Sequence, residues 1–129
     1  MFKIVMSLGC ISAALGVILG AFGAHGLKNM VGAYELDIFK TGVQYQFLHS
    51  FALLILALFF KNEWNNWGIY AAYAFGAGII LFSGSLYLLA VKDVFSILPT
   101  KILGPITPLG GLFFILGWIF FLLGVLKKV

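Results

Sequence analysis

The polar side chains with the widest chemical capacity in this sequence lie in one ten-residue stretch, TGVQYQFLHS at residues 41–50. Within it Tyr45 and His49, and likewise Gln46 and Ser50, stand four residues apart, which places each pair on one face of a helix. Imidazole, phenol, amide and hydroxyl groups can bind a ligand, transfer a proton or form hydrogen bonds to a neighbouring helix. The stretch is therefore either a binding or catalytic site or a set of structural hydrogen bonds.

The residues that follow this stretch, 51–60, are entirely apolar. A helix of that length is only about 15 Å long, which is about half of a bilayer core. The helix must therefore carry part of the polar stretch into the membrane, and His49 is expected about 12 Å below Thr41 along the helix axis. Polar groups at that depth are costly unless they are paired, so these side chains should face protein rather than lipid.

The composition places the chain among membrane proteins. Of its 129 residues 63% are hydrophobic and 9% are charged, and the mean hydropathy is +1.12. Soluble domains are only about half apolar and about a quarter charged. The net charge of +4 comes from lysines at the ends of hydrophobic segments rather than from a basic patch, which excludes a nucleic-acid partner. The single cysteine, Cys10, allows no internal disulfide bond.

Four hydrophobic stretches long enough to cross a bilayer predict an all-α fold, a single domain over residues 1–129 in which four transmembrane helices form a bundle. The predicted spans are about 4–24, 41–60, 67–91 and 105–126. Between the first two, residues 25–40 alternate apolar and charged side chains at helical spacing, which predicts a short amphipathic helix in the membrane interface. Small residues spaced four apart, such as Gly16 and Gly20, predict close packing of the first span on another helix, in the same chain or a second copy.

Four-span topology brings the ends of the first and third helices and the starts of the second and fourth to one face of the membrane. Polar side chains are concentrated there, and we predict that they form an intramembrane cluster that binds a ligand. Its predicted members are His25, Tyr45, Gln46, His49, Ser50, Ser83, Ser85, Tyr87 and Thr107. The lysines divide four and four between the two faces, but the Lys127–Lys128 pair favours cytoplasmic termini, which places the cluster in the outer leaflet.

Four segments of the sequence, in this order, resemble a known protein family: GAFGAHGL at 20–27, TGVQYQFLHS at 41–50, FSGSLYLLA at 82–90 and TPLGG at 107–111. It is the bacterial inner-membrane family called domain of unknown function 423, which is similar to the eukaryotic transmembrane protein 256. The resemblance covers essentially the whole chain and implies a four-span protein of the bacterial inner membrane. Because the family carries no established activity, the resemblance assigns no catalytic role, substrate or cofactor to any residue.

Three specific chemistries fit the polar residues less well than binding does. A metal site would need three or four ligands, and only His25, His49 and Glu35 offer a conceivable set. A serine nucleophile could pair with His49, but no orienting carboxylate is visible beside the candidates Ser50, Ser83 and Ser85. A small proton-coupled exporter would use a carboxylate within a span, and none of the four acidic residues lies in one.

We therefore expect a small polytopic membrane protein that binds a lipid or a membrane partner through the polar cluster. Binding is favoured over catalysis, and neither a cofactor nor a metal is expected. Membrane lipids and further copies of the same chain, forming a homo-oligomer, are the expected partners. The alternative is a small membrane enzyme or transporter that uses His49. If the cluster is instead purely structural, His49 is expected to bond to Ser83, Ser85 or Tyr87, which topology brings to a similar depth.

Overall fold

The computed structural model describes residues 1–95 and 100–128, and within them the chain is all-helical. Its elements are α1 (Phe2–His25), a 3₁₀ turn (Leu27–Asn29), α2 (Ala33–Phe59), α3 (Asn66–Gly78), a π-helical segment (Ile79–Ser83), α4 (Gly84–Phe95) and α5 (Thr100–Lys128). Four helical stretches are long and apolar enough to cross a membrane, namely Phe2–Asn29, Ala33–Phe59, Asn66–Phe95 and Lys101–Lys128. The predicted four-span, all-α fold is thereby confirmed.

The interfacial helix predicted over residues 25–40 is not separately seen. Its first part is a 3₁₀ turn, and its second part is the beginning of α2, which starts eight residues before the predicted span, at Ala33. No proline interrupts the sequence from Ala33 to Phe59, so nothing separates the charged, amphipathic turns from the apolar ones. Glu35 lies in the first turn, where a negative charge complements the helix dipole.

The last span also begins earlier than predicted, at Thr100 instead of residue 105. Pro105 and Pro108 consequently lie inside α5 rather than in its first turn. Each proline lacks an N–H, so the carbonyl groups of Lys101 and Gly104 lose their usual helical donors. Part of the predicted connection between the third and fourth spans, residues 96–99, lies outside the described residues.

Glycine residues let α1 lie close against α2. A Cβ atom at Gly16 would lie 3.1 Å from the ring of Phe47, and one at Gly23 would lie 3.0 Å from the ring of Phe39. In both places the aromatic ring fills the space that a larger side chain would need. The small residues of the first span therefore pack within the chain, against its own second helix.

Glycine residues of the fourth span likewise let α5 lie close against the third span. A Cβ atom at Gly110 would lie 2.7 Å from the Cα of Phe82, and one at Gly117 would lie 2.6 Å from the ring of Phe75. Gly110 thus brings α5 into direct contact with the backbone of the π segment. The helices are therefore arranged in layers, with α1 on α2, α2 on α4 and the π segment, and α5 on α3 and the π segment.

Two apolar cores lie on either side of the polar stretch of α2. The larger one includes Leu56, Phe60 and Phe75, and the smaller one includes Leu27 and Phe39. On the outer faces of the helices, large apolar side chains stay more than half exposed, as at Ile4, Ile18, Ile55 and Ile80. Such extended apolar surface suits contact with lipid.

Candidate functional site

The side chain of Gln46 joins three helices. Its Nε2 donates to the backbone oxygen of Ser12 in α1 over 2.8 Å, and its Oε1 accepts from the hydroxyl of Tyr87 in α4 over 2.7 Å. Gln46 is only 4% exposed, so these bonds meet the need of a buried amide for partners. Gln46 therefore links α1, α2 and α4 within the membrane-spanning part of the bundle.

Ser50 extends the contact between α1 and α2. Its Oγ lies 2.7 Å from the carbonyl oxygen of Gln46 and 2.7 Å from the hydroxyl of Ser12. A hydroxyl has one hydrogen, so Ser50 donates to one of these oxygens, and when it donates to the carbonyl the Ser12 hydroxyl can donate to Ser50. Ser50 is fully buried, and both of its hydrogen-bond partners are groups of α1 and α2.

Two further serines join the third and fourth spans to the rest of the bundle. Ser83, at the end of the π segment, donates to the carbonyl oxygen of Gly42 in α2 over 2.7 Å. Ser85 donates to the carbonyl oxygen of Phe82 over 2.9 Å and lies 2.6 Å from the hydroxyl of Thr107 in α5. We call these bonds, together with those of Gln46 and Ser50, the interhelical network; its side chains are Ser12, Gln46, Ser50, Ser83, Ser85, Tyr87 and Thr107.

His49 is bonded through both ring nitrogens, but to other residues than predicted. Its Nδ1 lies 2.8 Å from the carbonyl oxygen of Tyr45, which can only accept, so Nδ1 carries the hydrogen. In the neutral ring Nε2 is then an acceptor, and Trp118 Nε1 donates to it over 3.3 Å. The predicted partners Ser83, Ser85 and Tyr87 were therefore wrong.

A groove between α2 and α5 lies beside His49 and has a volume of about 910 Å³. The lining side chains are apolar except for those of Tyr45, His49 and Trp118. The groove, called the α2–α5 groove below, is lined by Tyr45, Leu48, His49, Phe51, Ala52, Ile55, Phe82, Pro108, Gly111, Leu112, Phe114, Ile115 and Trp118. Several of its apolar members are about half exposed, including Leu48 and Leu112, so the groove opens sideways toward the lipid.

A second, smaller groove lies on the opposite side of α2, between α1 and the third span. Its volume is about 460 Å³. Its polar lining residues are Ser12, Gln46 and Tyr87. The Gln46 side chain bonds to the Ser12 carbonyl and the Tyr87 hydroxyl, and the Ser12 hydroxyl bonds to Ser50. This groove therefore offers an incoming ligand few free polar groups.

The structure divides the predicted site residues into three groups. Gln46, Ser50, Ser83, Ser85, Tyr87 and Thr107 lie in the interhelical network, whereas Tyr45 and His49 line the α2–α5 groove. His25 joins neither group, because it is exposed at the end of α1, where its carbonyl accepts a bond from Asn29.

Two residues were not predicted: Ser12, which belongs to the interhelical network, and Trp118, which lines the α2–α5 groove. Ser12 could have been noticed as one of the two serines, with Ser7, in the first half of an otherwise apolar span. Trp118 could have been noticed because it lies in the middle of a span, whereas membrane tryptophans are enriched at the interfaces.

The bonds of the described residues bear on two of the alternatives. Within residues 1–95 and 100–128, no group of three or more His, Cys, Asp and Glu side chains could hold a metal ion. The serines of the network bond to carbonyl groups or to other hydroxyls, and the ring nitrogens of His49 are occupied by Tyr45 and Trp118. No serine–histidine pair of the kind that activates a nucleophile is therefore formed within those ranges.

The greater part of the chain matches the model of a known protein family. A family model described as "Protein of unknown function (DUF423)" matches residues 19–111, which is more than half of the chain and includes every predicted site residue. The chain belongs to the DUF423 family. As a DUF423 protein with four candidate spans, it is a small multi-pass membrane protein.

The DUF423 chain is similar along nearly its whole length to several bacterial membrane proteins. The UPF0382 membrane protein YwdK of Bacillus subtilis (strain 168) is 42% identical over 127 residues, covering 97% of this chain and 98% of the relative. The UPF0382 inner membrane protein YgdD of Escherichia coli (strain K12) is 34% identical over 125 residues, covering 97% and 91%. No solved structure matches the DUF423 chain significantly.

Proposed function

We propose that this protein binds the apolar chain of a membrane lipid in the α2–α5 groove. The observation that carries the proposal is the groove itself, whose volume of about 910 Å³ is lined by apolar side chains and opens toward the bilayer. Binding sites for small molecules commonly enclose about 300–1,000 Å³ and combine apolar walls with a few polar groups. Here the polar groups are Tyr45, His49 and Trp118.

The length of the groove suits a lipid chain from one leaflet. Its lining extends from Tyr45 to Ile55 on α2 and from Pro108 to Trp118 on α5. Each stretch rises by about 15 Å, which is about half of the hydrocarbon core. With the termini in the cytoplasm, which we also propose, the end of the groove at Tyr45 and Pro108 faces the outer leaflet, as the lysine pair at the C-terminus favours.

The residues that hold the helices together differ from those that line the groove. The hydroxyl and amide groups of the interhelical network already have protein partners, so they contribute to helix association rather than to a ligand. Tyr45 and His49, by contrast, line the α2–α5 groove. Tyr45 is 37% exposed, and His49, which is 4% exposed, shares with Trp118 a bond of 3.3 Å that is longer than any in the network. The ligand-binding role predicted for the whole cluster is therefore proposed for the groove pair alone.

Native mass spectrometry of the protein extracted in a mild detergent tests the proposal. Wild-type protein should retain about one lipid per protomer. Gly111→Leu should lose it, because the new side chain would enter the groove; a Cβ there would meet only the ring of Phe82, at an ordinary 3.7 Å. Gly84→Leu is the matched control: it adds the same volume at a position that lines the smaller groove, and it should retain the lipid.

The result that overturns the proposal is equal lipid retention in wild-type protein and Gly111→Leu, or no lipid retained by either. Both variants must show the same helical content by circular dichroism as the wild type, since a loss of fold would also release lipid. Replacement of a helical glycine by leucine in open space favours the helix, so this condition should be met.

A further inference from the structure

We infer that the ligand of the α2–α5 groove carries a hydroxyl-bearing aromatic ring, as isoprenoid quinols do, and that its hydroxyl binds between His49 Nε2 and Trp118 Nε1. The inference rests on the proposed function, because it names the chemical class of the lipid in that groove. Three observations carry it: the arrangement of one donor and one acceptor, their depth in the membrane, and the aromatic walls around them.

His49 Nε2 and Trp118 Nε1 together match the hydrogen-bonding capacity of a hydroxyl group. The imidazole nitrogen accepts and the indole nitrogen donates, whereas a hydroxyl does both. Their direct bond is 3.3 Å long, which is beyond the usual range of about 2.7–3.2 Å for N–H donors. Trp118 is 48% exposed, so it can turn toward the groove, and one weak bond is then replaced by two.

The depth of this pair excludes the headgroup of a phospholipid as its partner. His49 lies about 12 Å below Thr41, within the hydrocarbon region. A charged phosphate at that depth would be far from water and would find no cation, because the groove lining contains no lysine. A polar atom that reaches His49 must therefore belong to an uncharged group on an otherwise apolar molecule.

The walls of the groove favour a flat ring over a saturated one. Six of its thirteen lining residues carry aromatic rings: Tyr45, His49, Phe51, Phe82, Phe114 and Trp118. The His49 and Phe114 rings are stacked, with centroids 3.5 Å apart and planes within 7°. Aromatic pairs gain energy beyond that of their buried area, so a ligand ring that packs against the exposed aromatic side chains Tyr45, Phe51 and Trp118 is bound better than a methylene chain of equal size.

Three probes that share one alkyl tail test the inference: decylhydroquinone, its dimethyl ether and n-decanol. The ether keeps the ring but cannot donate a hydrogen bond, and the alcohol keeps a hydroxyl but has no ring. Binding to delipidated protein in detergent is measured by native mass spectrometry under argon. Decylhydroquinone should bind at least about threefold more tightly than either of the other two, as expected for the gain or loss of one net hydrogen bond or ring contact.

Two variants connect this preference to the pair. His49→Phe removes the acceptor and Trp118→Phe removes the donor, and in each the hydroquinone should bind no better than its ether. Trp118 is half exposed, so Trp118→Phe is expected to fold even if His49→Phe does not. A preference that persists in the folded variants overturns the assignment of the hydroxyl to this pair.

The remaining outcomes separate this inference from the proposed function. Equal binding of the hydroquinone, the ether and the alcohol overturns the inference that the ligand carries an aromatic ring and a hydroxyl. It leaves the proposal that the groove binds an apolar chain. No binding of any probe, together with a retained lipid that Gly111→Leu abolishes, overturns the inference alone. If the wild-type protein binds none of the probes and retains no lipid, the inference and the proposed function are both overturned.

Discussion

The hydroxyl of Tyr87 donates to Oε1 of Gln46 over 2.7 Å, and this bond ties α4 to α2 deep in the membrane. The same amide reaches α1 through its nitrogen, so a single side chain spans three of the four membrane-crossing units. Hydrogen bonds of this kind contribute about 0.6–2 kcal/mol each in membrane proteins. The amide is therefore expected to be one of the main polar contributions to the stability of the bundle.

Gln46→Leu should lower the free energy of unfolding by about 1–3 kcal/mol, because two interhelical bonds are lost and the partly buried Tyr87 hydroxyl is left without its partner. Unfolding by titration with sodium dodecyl sulfate in mixed micelles measures the change. Gln44→Leu is the matched control: Gln44 is exposed, and its replacement should change stability by less than about 0.5 kcal/mol. Equal effects of the two substitutions would contradict the role given to Gln46.

Gly110→Ala should destabilise the protein by about 1–3 kcal/mol through overpacking. Its methyl group would meet the backbone of Phe82, which cannot turn aside as a side chain can. Gly104→Ala, on the same helix, would meet nothing within 4 Å and should be neutral or stabilising by up to about 1 kcal/mol. The same unfolding titration compares them, and a Gly110 variant as stable as the Gly104 variant would argue against this close contact.

The predicted homo-oligomer has to use a surface other than the glycines of α1, since these pack on α2. Gly76 is a remaining candidate, because an added Cβ would meet nothing within 4 Å there. We expect crosslinking in membranes to give a dimer or larger species and Gly76→Leu to weaken it at least about threefold, as changes at small-residue helix contacts do. Detection of monomer alone in wild-type membranes would refute the oligomer.

Both termini are predicted to lie in the cytoplasm. A fusion of alkaline phosphatase, which is active only outside the cytoplasm, to the C-terminus should be inactive, whereas a fluorescent protein that folds only in the cytoplasm should be bright there. The loop at 61–65 lies on the same face and should behave in the same way. Active phosphatase at the C-terminus would reverse the orientation and move the groove to the inner leaflet.

The burial of several polar residues could be predicted from the sequence, because polar side chains within a span should face protein rather than lipid. Gln46, His49 and Ser50 are indeed buried, and Ser83 and Ser85 face the second and fourth spans, as four-span topology requires. The beginning of α2 was misplaced, since a charged helical turn has the same periodicity whether it lies in the interface or continues a span.

The bond between Trp118 and His49 could not be predicted, because it depends on how α5 is rotated about its own axis. That rotation is set by contacts such as Gly110 on Phe82 and Gly117 on Phe75, which are three-dimensional fits rather than sequence patterns. The groove has the same origin, since it is the space that remains when both outer helices pack on the central ones. A uniformly apolar helix gives no periodic signal from which its buried face could be read.

The π segment at Ile79–Ser83 implies that the third span tolerates a change of chain length at one place. A π turn contains one more residue than the α turn that could replace it. Deletion of Ile80, which is 73% exposed, would therefore leave Phe75 and Tyr87 on their present faces. Deletion of Ala74 within α3 would instead turn the preceding residues by about 100° relative to the following ones and bring buried side chains to the lipid.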